Sequence, residues 1–179
     1  MCAAKLRAST IALVALAAAA AADARKAAPN IVHVVMDDIG WNDLGFMNKD
    51  ILSPRIDTLV KEESLLLTHF YTAKECAPTR GSLMTGRMPY HFGYYRNPSD
   101  EGGVPLEYAL LPQILAAAPT PYSSHAIGKW HLGFKTPNHT ATYRGFDTWM
   151  GYYHWGEDYF THAFPPAYKG ATSPGRVCH

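Results

Sequence analysis

Ile31, Val32, Val34, Val35 and Met36 form an apolar run, broken only by His33 and ended by Asp37-Asp38. A short run of β-branched residues closed by polar ones predicts a strand covered on both faces, as in a parallel sheet. His33 is expected inside it as a hydrogen-bonded core residue. Further on, Ser53 and Pro54 precede Ile56, Leu59 and Val60, three apolar positions on one helical face. That is an N-cap, a first-turn proline and an amphipathic helix over 53–63, packing on the sheet. Leu65–Tyr71 predicts a second strand, running into a helix that starts at Cys76 with Pro78 in its first turn. Residues 93–105 are rich in Gly, Pro, Asn and Asp and predict a long surface loop. Leu111–Ala118 reads as a short helix with Pro112 near its start, closed by Pro119 and Pro121, and 123–127 as a short strand. Strand–helix alternation of this kind predicts an α/β fold with a mainly parallel sheet flanked by helices.

Three places on this scaffold carry candidate chemistry. Cys76, Pro78 and Arg80 put a sulfur at a helix mouth with a guanidinium one turn further on the same face. A thiol so placed is poised to carry negative charge. Asp37 and Asp38 stand at the carboxyl end of the first strand, where open α/β sheets bind ligands. Two adjacent carboxylates suit a hard cation; the plain alternative is an acidic turn. The strand at 123–127 ends in Gly128-Lys129-Trp130-His131, whose alternation puts Lys129 and His131 on one side and Trp130 on the other.

The nine histidines do not make a zinc protein, since neither His-x-x-x-His nor Cys-x-x-Cys occurs. His69, His91, His154 and His162 sit among aromatic residues as structural side chains, and His125 is either one more structural side chain or lines the edge of the site. The Trp and Tyr cluster of 149–160 fits a core, or the wall of a substrate cleft.

Charge and the amino terminus narrow the setting. Lys5 and Arg7 precede an apolar stretch, Ile11–Ala22, too short to span a bilayer and followed by small residues. That is a secretion signal over residues 1–24, with an uncleaved anchor as its rival. Cleavage after Ala24 removes Lys5, Arg7 and Asp23 and leaves 14 basic and 14 acidic residues, so no basic field exists for nucleic acid. No other segment approaches a membrane span. Of the three cysteines, Cys2 leaves with the signal, and Cys178 either lacks a mate or pairs with Cys76. Asn138-His-Thr140 is the one glycosylation sequon, because Pro98 excludes Asn97.

The run Cys-Ala-Pro-Thr-Arg-Gly-Ser-Leu-Met-Thr-Gly (76–86) resembles the sulfatase signature, and Tyr122–Gly133 resembles that family's second signature. Residues 40–45, 144–153 and 154–162 are similar to its arylsulfatase B-like branch. The resemblance implies an alkaline-phosphatase-like α/β domain that cleaves sulfate esters of aryl or sugar alcohols. It implies that a formylglycine-generating enzyme oxidises Cys76 to formylglycine, whose hydrate attacks sulfur. It further implies one Ca²⁺ on Asp37, Asp38 and the oxygen of modified Cys76. Arg80 would hold the hydrate, Lys129 the sulfate, and His131 would take the proton that lets sulfate leave. A secreted or lysosomal setting follows. Lys74-Glu75 and Pro121 depart from the family's usual residues, the first beside the oxidised Cys. No Asp-Asn dipeptide occurs, so the later metal ligands, and the later His and Lys of the site, are missing. Residues 29–179 are therefore expected to be the N-terminal part of a catalytic domain. Rival readings are a truncated, inactive secreted domain, or a related phosphatase or phosphodiesterase, against which Cys76 speaks.

Overall fold

The computed structural model describes residues 28–93 and 103–162. The proposed signal, most of the 93–105 loop and Cys178 lie outside them. The chain forms two units, one up to Met36 and one from Asp37 onward.

In the second unit, α1 (Pro54–Thr58) runs on into a single wider π turn, Leu59–Glu63. Ser53 stands at its N-cap, but its hydroxyl donates to Asp57 Oδ1 at 2.7 Å and accepts the Gly45 amide at 2.7 Å. It thereby ties the 40–45 turn to the helix. The expected apolar face is only partly realised: Ile56 and Val60 are half-buried, Leu59 is exposed, and neither piece of the helix buries a residue fully.

α2 spans Cys76–Thr85, with Glu75 as its N-cap and Gly86, at φ 66°, as its left-handed C-cap. Glycine is suited to that cap because it carries no Cβ. Ala77, Pro78, Gly81 and Thr85 are buried, positions that fall on one helical face. Their small size lets the helix backbone approach the core closely. α3 (Leu111–Ala116) follows, its first amide bonding secured where Gln113 Oε1 accepts the Leu110 N–H at 2.9 Å.

β1 (His125–Ile127) and β2 (Thr148–Met150) pair in parallel, in the register His125–Thr148, Ala126–Trp149 and Ile127–Met150. The α/β class with parallel strands is borne out in this part of the sheet. The pairing continues beyond the regular strands, because Gly128, Trp130 and His131 donate to the carbonyls of Met150, Tyr152 and Tyr153. Gly151 is required there: a Cβ would overlap the Gly128 carbonyl. The core is Ala77, Phe92, Val104, Leu110, Trp130, Leu132, Ala141 and Trp149.

Two predicted strands are corrected. Residues 29–36 and 65–71 form no strand, the second containing a turn at 68–69, and their apolar side chains are exposed, Val32 at 86% and Leu65 at 86%. His33 is likewise exposed rather than a core residue. A parallel strand needs a neighbour's amides and carbonyls as well as apolar cover. Among the described residues the sheet has only β1 and β2, so neither segment has a ladder to join.

Candidate active site

The site is organised around the short stretch Lys129–Gly133, whose backbone is anchored almost atom by atom. Arg80 reaches from α2 to donate through Nε to the Trp130 carbonyl at 2.9 Å and through Nη2 to the Lys129 carbonyl. From the other side, Tyr152 and Tyr153 carbonyls accept the Trp130 and His131 amides at 2.9 and 3.0 Å. Val104 donates to the Leu132 carbonyl at 3.1 Å, and Trp130 Nε1 to Gly133 O and His139 O at 2.8 and 3.0 Å. Trp130 is buried in the core as its alternation predicted, edge-on to Phe146.

The alternation itself breaks at the next residue. His131 has φ 51° and Asp38 φ 53°, left-handed values that a side-chain-bearing residue adopts only where its surroundings enforce them. Two of the candidate residues therefore sit on strained backbone. His131 is buried, its ring stacked at 6.3 Å on His154. Burial, then the nearby Lys129, His154 and Arg80 charges, push its pKa down to about 3, with Asp37 opposing. The imidazole is thus neutral at ordinary pH.

Lys129 does not lie on open surface. Its ammonium pairs with Asp37 Oδ2 at 2.7 Å, with the lysine side chain largely covered and Asp37 half-exposed. Asp38 is exposed beside it. These carboxylates suit a hard cation by donor chemistry, and a positive charge already rests against Asp37. Among the described residues no set of three or more His, Cys, Asp or Glu side chains gathers into a complete metal centre. Cys76 opens α2 half-buried, one turn before Arg80.

Geometry thus joins Arg80, Lys129, His131 and Asp37, and places Cys76 on the helix that carries Arg80. His125 stays on the strand, bonded to Thr148 Oγ1 at 2.8 Å. The aromatic cluster divides: Trp149 is buried and stacked on Tyr153 at 4.4 Å, whereas Tyr159 and Phe160 are exposed. Asn138 is exposed in a one-turn 3₁₀ helix, Pro137–His139.

Sequence reasoning missed two supports. His154 was set aside as structural, yet it flanks His131. Arg144 is buried and donates to Val104 O at 3.1 Å and Tyr108 O at 2.7 Å, holding the loop that grips Leu132. Its position in the 144–153 block was the only signal for it.

The sulfatase family model matches residues 29–174. Arylsulfatase J of Mus musculus is 37% identical over 153 residues, covering 84% of this chain and 24% of that protein. N-acetylgalactosamine-6-sulfatase of Homo sapiens is 38% identical over 135 residues, covering 69% of this chain and 25% of the relative. The crystal structure of Ps i-CgsB in complex with k-i-k-neocarrahexaose aligns at 37% identity and a TM-score of 0.45, over 52% of this chain and 21% of that one. The chain spans about a quarter of the length of the curated relatives it matches.

Proposed function

The chain belongs to the sulfatase family, and from that premise we propose that it is the N-terminal part of the catalytic domain of a sulfuric ester hydrolase. Its substrates would be sulfate esters of aryl alcohols or sugars, the latter favoured by the resemblance to a sulfatase named for N-acetylgalactosamine. The nucleophile would be formylglycine made from Cys76 by a formylglycine-generating enzyme in the secretory pathway. Residues 1–24 would be its signal, Asn138 would carry a glycan, and the product would be secreted or lysosomal.

The observation that carries this reading is a single one. Arg80, on the helix that Cys76 opens, bonds the two carbonyls just before His131, while Lys129 of the same stretch meets Asp37. Three blocks far apart in sequence thereby converge on one place.

Within that place each side chain has a task its surroundings support. Cys76 at the first turn of α2 lies where the helix dipole favours developing negative charge. Lys129, largely covered, would neutralise a sulfate oxygen more strongly than a solvated ammonium does. By the family resemblance His131 would accept the proton whose removal releases sulfate; burial keeps its ring neutral but makes it a weak base until a partner raises its pKa. Asp37 and Asp38 would hold one Ca²⁺ together with the oxygen of modified Cys76. That ion, when bound, would supply positive charge against the sulfate oxygens.

The test is peptide mass spectrometry on chain secreted from cells that contain the oxidising enzyme. The tryptic peptide Glu75–Arg80 is expected in a form lighter by sulfur exchanged for oxygen with loss of two hydrogens. Only the thiol or a disulfide at Cys76 would overturn the reading.

A further inference from the structure

Beside the expected role of Arg80 toward the nucleophile, two of its hydrogen bonds describe a further task. The Nε–Nη2 edge of the guanidinium is turned to the carbonyls of Trp130 and Lys129, 50 and 49 residues away in sequence. Two parallel donors in a rigid plane fix two acceptors in direction as well as distance, which a lysine ammonium does not do. The carbonyls they fix belong to the peptides on either side of Trp130, immediately before the left-handed turn at His131. The opposite edge of that stretch is held through the Trp130 and His131 amides by Tyr152 and Tyr153. Without the fork, the same two peptide units keep their amide bonds to Tyr152 and Tyr153 but lose their link to α2.

We propose that Arg80 is a positioning residue: it locks α2, which carries Cys76, to the Lys129–His131 turn, and so sets where the Lys129 ammonium and the His131 ring are presented. The two side chains named as charge and proton acceptor are presented by backbone held from α2 as well as from Tyr152 and Tyr153. Arg80 is the cross-link from the helix to the turn. Its long-range fork makes the register between helix and turn a property of one side chain. This inference rests on Lys129 and His131 being the groups that act, and its test is independent of turnover.

Amide hydrogen exchange and the His131 ring resonances of the whole chain are compared with those of Arg80→Met and Arg80→Lys. In Arg80→Met, exchange at the Trp130 and His131 amides is expected to speed up on the order of tenfold or more, about the weight of one hydrogen bond to a charged group. The His131 ring signals should shift, while the amides of Ala117, bonded to α3 carbonyls, and Asp147, bonded to Ser124 O, keep their protection. Arg80→Lys should show the same local loss, because charge without the fork does not hold two carbonyls. If Arg80→Met does not fold, Arg80→Lys alone decides by the same local criterion. Unchanged Trp130 and His131 protection, full protection in Arg80→Lys, or a loss spread evenly over the chain would each overturn the proposal. Loss of the fork with formylglycine still formed at Cys76 leaves the functional reading standing. An intact fork with only thiol at Cys76 defeats that reading and not this one.

Discussion

Lys129 Nζ lies 2.7 Å from Asp37 Oδ2, an ion pair spanning 92 residues. It joins the acidic pair that follows the first apolar run to the stretch that follows β1. The lysine end is covered and the aspartate end is half-exposed, so the two partners respond differently to removal.

Lys129→Met is expected to cost little stability, on the order of 1 kcal/mol or less, because Asp37 can return to water. Its clearer effect falls on His131, whose pKa Lys129 helps to hold down. In Lys129→Met the His131 titration, followed by NMR, should move up from about 3. A titration that stays or falls would mean that the lysine charge does not reach the imidazole.

Stability should fall as the solution is acidified through the histidine range. His131 has a folded pKa of about 3 against an ordinary 6.5, so between those values the unfolded chain binds the extra proton and the folded chain does not. The contribution is intact above about 6.5 and is lost progressively toward 3. Denaturant midpoints measured at pH 7 and pH 4.5 should differ in that sense, and His131→Gln should shrink the difference. An unchanged difference would assign the acid sensitivity to other groups.

Arg144→Met removes a buried guanidinium that serves the carbonyls of Val104 and Tyr108. Two buried acceptors lose their charged donor, and the expected cost is about 2–4 kcal/mol. Because Val104 also donates to Leu132, Leu132 and its neighbours should become more open to hydrogen exchange. A melting temperature within about 1 °C of the parent would show that water replaces the arginine without penalty.

Gly151→Ala sets a methyl group against the Gly128 carbonyl, in the region where 128–131 runs alongside 150–153. Overlap with a backbone atom cannot be relieved by a side-chain rotation, so a loss of about 1–3 kcal/mol is expected. Gly156→Ala, where a Cβ meets nothing, serves as the control. Equal stability of the two variants would refute the close approach.

The chain's own residues determined a good deal. Pro78 behind Cys76 and Pro112 behind Leu111 are start signals that act within one turn, and α2 and α3 begin where those signals put them. The alternation put Trp130 on the side away from Lys129 and His131, and Trp130 is buried, but so is His131, whose left-handed backbone breaks the pattern. The blocks around Cys76, Asp37, Lys129 and residues 144–153 were enough to point to the family. Tertiary structure alone decided the rest. Whether 29–36 is a strand depends on a neighbour's amides, not on the apolar run itself, and the run was legible while the missing neighbour was not. The left-handed turn at His131 follows from anchors supplied by Arg80, Tyr152, Tyr153 and Val104, none of which local propensity can report. The Lys129–Asp37 pair and the depressed pKa of His131 likewise arise from groups brought together by the fold. Local signals set helix ends and buried faces; charge, strain and partner choice belong to contacts between distant residues, which exist only once the chain has folded.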